Sequence, residues 1–355
     1  MKILIAGAGP VGLTAGVELA RRGAQVQIID RRKGGSALSR AVGINPKSLD
    51  ILTPSGVTNQ LLAQGVTYRD VRMYRGAKIW ARLRLTDAPI QHGHNIMLGL
   101  PQDQTETILR NTFFGLGGTI SYSKELTGLH QTDDTVTASI ADGSEITADY
   151  LIGADGLRSA TRQALGIAYH CTPLPDIWSI SDVDVDNWPH LTSATICLMP
   201  KGRLAAIVPL GGTRLRFISN TPDALHEFPL DLNVTQVHRK ASFQVSLCHV
   251  DTYSKGRVFL AGDAAHSQSP AGGRGMNLGI SDAADLAARL MGGDLDGYTA
   301  SRLSEGTKIM AGAETMRKIL TSKNPATRLA VLTGIKLVSS IPALRAKFAS
   351  NFLYG

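Results

Sequence analysis

Cysteine is scarce in this chain. Cys171, Cys197 and Cys248 stand far apart in 355 positions, odd in number and without a CxxC pair. That usage disfavours a disulfide framework and fits a reducing cytoplasm. Long apolar runs are also missing. None reaches the ~18 to 20 residues that a membrane-spanning helix needs. No GxSxG elbow, HExxH helix or Cys/His zinc spacing occurs, so hydrolytic and metal-dependent chemistry lacks support. Asp182, Asp184 and Asp186 alternate as calcium ligands do, but the loop's Gly at position six and Glu at position twelve are absent, so no metal site is expected. There is no internal repeat and no low-complexity segment.

Acidic residues nearly vanish from the C-terminal part. From Lys308 to Gly355 eight Lys and Arg face a single Glu314, which places +7 of the net +8 there. Two readings stay open. The segment forms helices packed on the domain that the motifs below define, with Lys and Arg on their wet faces, or it lies on an anionic membrane. Nucleic acid is not expected as a partner, because no recognition module or basic-aromatic stripe accompanies the charge.

What is abundant is glycine, 37 residues in all, with 43 % hydrophobic residues, enough for a large core and two domains. The N-terminus, Lys2 and then apolar residues, mimics a signal peptide. The glycines and the βα pattern that follow argue for a strand instead. Lys2 to Ala6 reads as a buried strand, Gly7-Ala8-Gly9-Pro10-Val11-Gly12 as a turn, and Leu13 to Arg22 as a helix ending at Gly23. Val26 to Ile29 then ends at Asp30. This is a dinucleotide-binding βαβ unit. Gly7 permits the tight turn, Gly9 lets the backbone approach a pyrophosphate, and Gly12 lets helix and strand pack. Asp30 can accept from a ribose hydroxyl. Arg31 and Arg32 can hold a 2′-phosphate, so this unit alone leaves FAD and NADP both open.

Two more strand-loop-helix elements follow. Asp149 to Ile152 leads into Gly153-Ala154-Asp155-Gly156, with Ser159 or Asp155 placed to cap the next helix. Val258 to Ala261 leads into Gly262-Asp263-Ala264-Ala265-His266 and a glycine-rich loop from Pro270 to Asn277. A helical pattern runs from there to Leu290. The open N–H groups of such a helix suit an electron-rich ligand.

Three such elements in this order resemble the class A FAD-dependent aromatic hydroxylases, the p-hydroxybenzoate hydroxylase-like flavoprotein monooxygenases. Ser39 to Ile44, Leu100-Pro101-Gln102 and Asn45 to Leu52 are similar to the branch that hydroxylates phenols and aromatic polyketides. The resemblance spans about residues 1 to 300. It implies an α/β fold: a discontinuous Rossmann-like FAD domain with an inserted antiparallel β-sheet substrate domain and C-terminal helices. The FAD domain would comprise 1–67, 101–167 and 251–300, the substrate domain 68–100 and 168–250, and the helices 301–355. Alternation at Ser181 to Asp186 predicts a half-buried strand. Thr195 to Leu198, Leu204 to Val208 and Leu215 to Ser219 read as further strands, and Tyr298 to Ile319 and Thr327 to Ser339 as helices, with a last short helix after Pro342. No room is expected for the thioredoxin-like domain of larger family members.

The resemblance further implies that NADPH or NADH reduces the FAD. Reduced flavin and O2 would then give a C4a-hydroperoxide that hydroxylates an aromatic or polycyclic phenolic substrate. Carried onto this chain, Gly9, Pro10 and Val11 face the pyrophosphate and Asp30 holds the ribose. Arg40 and Gln102 reach the phosphate and ribityl regions, and Asp155 lies near the FAD. Asp263, following Gly262, bonds the ribityl chain. Pro270, Gly273, Arg274, Gly275, Met276 and Asn277 line the isoalloxazine. The family usually has Glu at Asp30 and often Gln at Arg274. A cation at Arg274 would favour anionic reduced flavin, attract an acidic substrate, or point to solvent. His266 belongs to the loop scaffold. No catalytic residue is identified. Two alternatives are an epoxidase or hydroxylase of a lipophilic quinone-type substrate at the membrane, and a flavin-fold protein that binds without turnover. The expected location is cytoplasmic, and oligomeric state is open.

Overall fold

A computed structural model describes residues 1–35, 41–91, 93–270 and 272–354. Its first large sheet has six strands. Reading across, they are Ser254–Lys255, Val258–Leu260, Tyr150–Gly153, Lys2–Ala6, Gln25–Asp30 and Thr119–Tyr122. All neighbours are parallel except the edge strand Ser254–Lys255. Ile3, Leu4 and Ile5 are all buried, as a central parallel strand covered on both faces requires. Helix Pro10–Ala20 packs against helices Gln102–Gly115 and Gly275–Gly292. A three-stranded antiparallel sheet, Leu126–Gln131, Val136–Ile140 and Glu145–Ala148, carries the chain from one side of the main sheet back to its middle.

The second large sheet has eight strands, in the order His266–Ser267, Val234–Val250, Tyr169–Val185, Arg214–Ser219, Leu204–Gly211, Ser193–Leu198, Asp70–Arg75 and Lys78–Arg84. It is antiparallel except between Ser193–Leu198 and Asp70–Arg75. The hairpins turn at Lys201-Gly202 and Gly211-Gly212, where all four residues have positive φ. Strand Val258–Leu260 belongs to the first sheet and His266–Ser267 to the second. The Gly262-Asp263 turn therefore sits at the seam between them.

Three helices close the chain: Gly297–Leu320, Pro325–Ser340 and Pro342–Tyr354. The last two do not rest on the six-stranded sheet. Ile335, Val338, Phe348, Ala349, Phe352 and Leu353 pack with Val71, Met73, Ala81 and Leu83 of the eight-stranded sheet. The final helix has 13 residues, longer than the short element expected.

Two expectations need correction. Cys171 and Cys248 are joined in a disulfide across 77 positions of sequence. They are register partners on the two 17-residue strands Tyr169–Val185 and Val234–Val250. Antiparallel pairing makes neighbours of residues whose sequence spacing carries no sign of it, and the cysteine argument for a reducing compartment falls with it. Cys197 is free and buried, and burial pushes its thiol up to about 12. The stretch Ser181 to Asp186 is a strand as far as Val185, but not a half-buried one. Trp178 to Val183 are buried on both faces. Asp182 is inside because Arg216 pairs with it through two contacts of 2.6 and 2.7 Å.

Candidate functional site

Parallel register brings the three motif loops together. Ala6 is level with Gly153, and Gly153 with Leu260. The loops beginning at Gly7, Ala154 and Ala261 therefore leave one sheet edge side by side. Backbone bonds fix them there: Gly7 N–H to Ile29 O (2.7 Å), Ala154 N–H to Ala6 O (2.8 Å) and Ala261 N–H to Gly153 O (3.0 Å).

The glycines divide into two kinds. A methyl group on Gly7 would lie 2.3 Å from the Ala154 carbonyl oxygen, and one on Gly12 would lie 1.9 Å from that of Gly7. These two are required by packing, and Gly7 also has φ +108°. A methyl on Gly9 or on Gly273 would meet nothing within 4 Å among the described residues. There the backbone is open to a ligand. Gly9 is the N-cap of helix Pro10–Ala20 and Arg274 that of helix Gly275–Gly292, and neither helix start is capped by a side chain. Two open helix N-termini at one site suit a pyrophosphate and an electron-rich ring edge. Buried polar atoms without partners among the described residues also lie here: Asp155 Oδ1, and both Gln268 amide atoms. These features fit FAD.

The expected contact residues fall as follows. Asp30 accepts from Ala8 N–H at 2.7 Å and from Arg32 through N–H, Nε and Nη2 at 2.8 to 2.9 Å. Burial alone would raise its pKa; Arg32 and the Ala8 amide outweigh that and hold it below the usual carboxylate range. Arg31 is exposed and 3.9 Å from Glu125, while Arg32 is the residue that turns inward to Asp30. Pro10 opens the helix, and Val11 wedges its side chain between Gly262 and Gly279. Gln102 Oε1 accepts from Ala41 N–H at 3.2 Å. Asp155 accepts from Thr161 N–H and Oγ1, and Ser159 from Arg162 N–H, so both serve the helix start. The Asp263 side chain is exposed at the sheet edge, and its carbonyl accepts from Tyr169 OH. Arg40 lies outside the described residues.

Asn277 does more than the sequence suggests. Its Oδ1 accepts from Asn45 N–H and Ser48 Oγ, and its Nδ2 donates to Gly43 O and Gly273 O. One amide thus clamps loop 43–48 to the glycine-rich loop. Met276 is buried beside it and Pro270 is half-buried. Arg274 Nη2 donates to Asn351 O of the last helix at 3.1 Å. Its side chain ties the loop to the C-terminal segment.

Sequence reasoning missed Asp282. Its Oδ2 accepts from Gly262 N–H (3.0 Å) and meets His266 Nε2 (2.6 Å), and Arg302 Nη1 lies 3.4 Å from Oδ1. Asp282 and His266 are almost wholly buried. Burial alone would lower the His266 pKa, but Asp282 raises it; burial would raise that of Asp282, but His266, the Gly262 amide and Arg302 lower it. The pair locks the Gly262-Asp263 turn. The Asp stands 20 residues after Gly262 inside a helix, with no local mark.

The profile of the family described as "FAD binding domain" matches residues 1–227 and 218–305. The chain belongs to this FAD-binding family. Within it, the chain is 29 % identical over 391 residues to 6-methylpretetramide 4-monooxygenase of Streptomyces rimosus, covering 100 % of this chain and 68 % of that protein. It is 29 % identical to pentachlorophenol 4-monooxygenase of Sphingobium chlorophenolicum over 90 % of this chain and 64 % of that one. Among solved structures, anhydrotetracycline hydroxylase from Streptomyces rimosus superposes with a TM-score of 0.80 at 26 % identity, over 99 % of this chain and 76 % of that chain. The p-nitrophenol 4-monooxygenase from Pseudomonas putida DLL-E4 superposes with a TM-score of 0.89 at 22 % identity, over 99 % and 96 %, and shares the fold. This FAD-binding protein is a flavoprotein monooxygenase of the aromatic hydroxylase class.

Proposed function

We propose that the protein hydroxylates an aromatic or polycyclic phenolic substrate with O2 and NAD(P)H, holding FAD along the shared edge of its three motif loops. The observation that carries this is the pair of open helix N-termini beside Gly9 and Gly273. Bound FAD supplies the activation of O2 and the transfer of one oxygen atom. The chain's own groups bind and orient. The N–H groups at the start of helix Pro10–Ala20 face the pyrophosphate. Ionised Asp30 would accept from the adenosine ribose in place of an Arg32 guanidinium contact, and Asp263 would accept from the ribityl chain. The amides at Met276 and Asn277 meet the pyrimidine edge of the flavin. The Asn277 clamp keeps these loops in register and His266 with Asp282 holds the turn, so neither is assigned a proton-transfer role. Residues 1–67, 101–167 and 251–300 act as the FAD unit. Residues 68–100 and 168–250 form the substrate unit, whose sheet walls the ring and excludes water. Relatives named for pretetramide and pentachlorophenol substrates support a phenolic ring. At most peripheral contact of the C-terminal helices with a membrane completes the reading.

A panel of phenols and polycyclic phenols tests it. The expected result is substrate-stimulated NADPH or NADH oxidation with a product one oxygen heavier. FAD-loaded protein that gives neither across the panel contradicts the reading.

A further inference from the structure

The helix Pro325–Ser340 has no buried residue. On its outer side Leu329 is 67 % and Leu337 52 % exposed, and at the bend to the last helix Ile341 and Leu344 are 38 % and 36 % exposed. Leu329 and Leu337, eight residues apart in one helix, share a broad face, while Ile341 caps that helix and Leu344 opens the next one across a 108° bend. Monomeric proteins seldom leave such a stripe uncovered without use. The sequence of these two helices carries one sign of charge. No Asp or Glu occurs after Glu314, while Arg317, Lys318, Lys323, Arg328, Lys336, Arg345 and Lys347 all do. Arg317 and Lys318 are paired with Glu314, and Arg345 with Asp87. Lys323 and Lys347 stand exposed at either end of the stripe.

We propose that this face docks on an anionic lipid bilayer, with Leu329, Leu337, Ile341 and Leu344 entering the headgroup–acyl boundary and Lys323 and Lys347 on the anionic headgroups. Charge complementarity selects this occupant. A second copy would bring lysines against lysines around the same stripe. The helices lie on the surface and do not cross. No single helix among the described residues is long and apolar enough to span. The two together qualify only with a 108° bend, and the second buries Ala349 and Leu353 against the eight-stranded sheet. A helix with an apolar stripe, a basic rim and an opposite face bound to protein is a peripheral anchor. Through Arg274 and Asn351 the anchor is joined directly to the glycine-rich loop. The inference makes specific the peripheral contact in the functional reading. It is independent of turnover, since binding is measured without substrate.

The test is sedimentation of the full chain with vesicles of phosphatidylglycerol and phosphatidylcholine in equal parts, and with phosphatidylcholine vesicles alone. Binding to the mixed vesicles should exceed binding to the neutral ones by about tenfold or more. The double variants Leu329→Ser/Leu337→Ser and Lys323→Glu/Lys347→Glu should each weaken it by about tenfold or more, with melting curves showing both folded. Absence of binding to the mixed vesicles at low salt overturns the proposal. So does binding that neither folded double variant weakens. A wild-type dimer by light scattering that the leucine variant dissolves assigns the stripe to a second copy and equally overturns it.

Discussion

At the edge of the six-stranded sheet, main-chain geometry does the positioning. Gly7, Gly12 and three inter-strand N–H to carbonyl bonds set the loops. In the eight-stranded sheet, a side-chain pair stands where backbone alone would not suffice: Arg216, fully buried, with its two contacts to Asp182. Between them, at the seam, both devices meet in Gly262 and Asp282. A site for a ligand common to many proteins can be built from backbone, which any side chain tolerates around it. A wall that must fit one substrate needs side chains, whose partners come from anywhere in the chain. The comparison can be broken or sharpened by substitutions on either side of it.

The largest effect is expected at Gly12. Its methyl would sit 1.9 Å from a carbonyl oxygen, and backbone cannot move aside cheaply. Gly12→Ala should lose about 4 kcal/mol or more of stability in urea unfolding. A loss below 1 kcal/mol would show that the loop is not held as described. Next is the seam. Asp282→Asn leaves His266 buried without its carboxylate, while Arg302 keeps Asp285 and Glu305, and should cost about 3 kcal/mol. It also has a pH signature. The folded His266 pKa lies above its ordinary 6.5. Its stabilisation is thus complete below that value and is lost as pH rises through the raised folded value. Unfolding curves from neutral to alkaline pH should show this decline in the parent and a flatter profile in Asp282→Asn. Equal slopes would mean that His266 is neutral.

The legibility of these features follows their range in sequence. The Gly7 to Gly12 turn, the strand ending at Asp30 and the Gly262-Asp263 turn are local, so their chemistry could be read from neighbours. The first two of the three C-terminal helices were read to within two residues for the same reason, while the last was read as shorter than its 13 residues. Asp282, Arg216 and Cys171 could not be read, because each acquires its meaning from a partner 16 to 77 positions away. Arg274 lies between these cases. Its place in the loop was legible, but its contact with Asn351, 77 positions on, was not.

Smaller effects follow. Asp263→Ala removes a carboxylate assigned to a ribityl hydroxyl, a charge-assisted bond of about 1.5 to 3 kcal/mol. FAD affinity should fall roughly ten- to hundredfold, with melting curves showing the FAD-free variant folded. An unaltered Kd removes Asp263 from the site. The smallest effect is expected for Arg274→Gln. Since its guanidinium reaches Asn351, the flavin midpoint potential should match the parent, and only about 1 kcal/mol of stability should be lost. A lowered potential would place the cation on the flavin instead.

The central claim, that open backbone at two helix starts holds the flavin, is tested most directly at Gly9. An alanine there meets no atom of the described residues within 4 Å, so beyond the modest cost of an alanine N-cap its effect is felt by a ligand. Titrating FAD into FAD-free protein, followed by flavin fluorescence, should give a Kd for Gly9→Ala at least about tenfold weaker than the parent, with melting curves showing both proteins folded. An equal Kd in the two folded proteins would contradict the account.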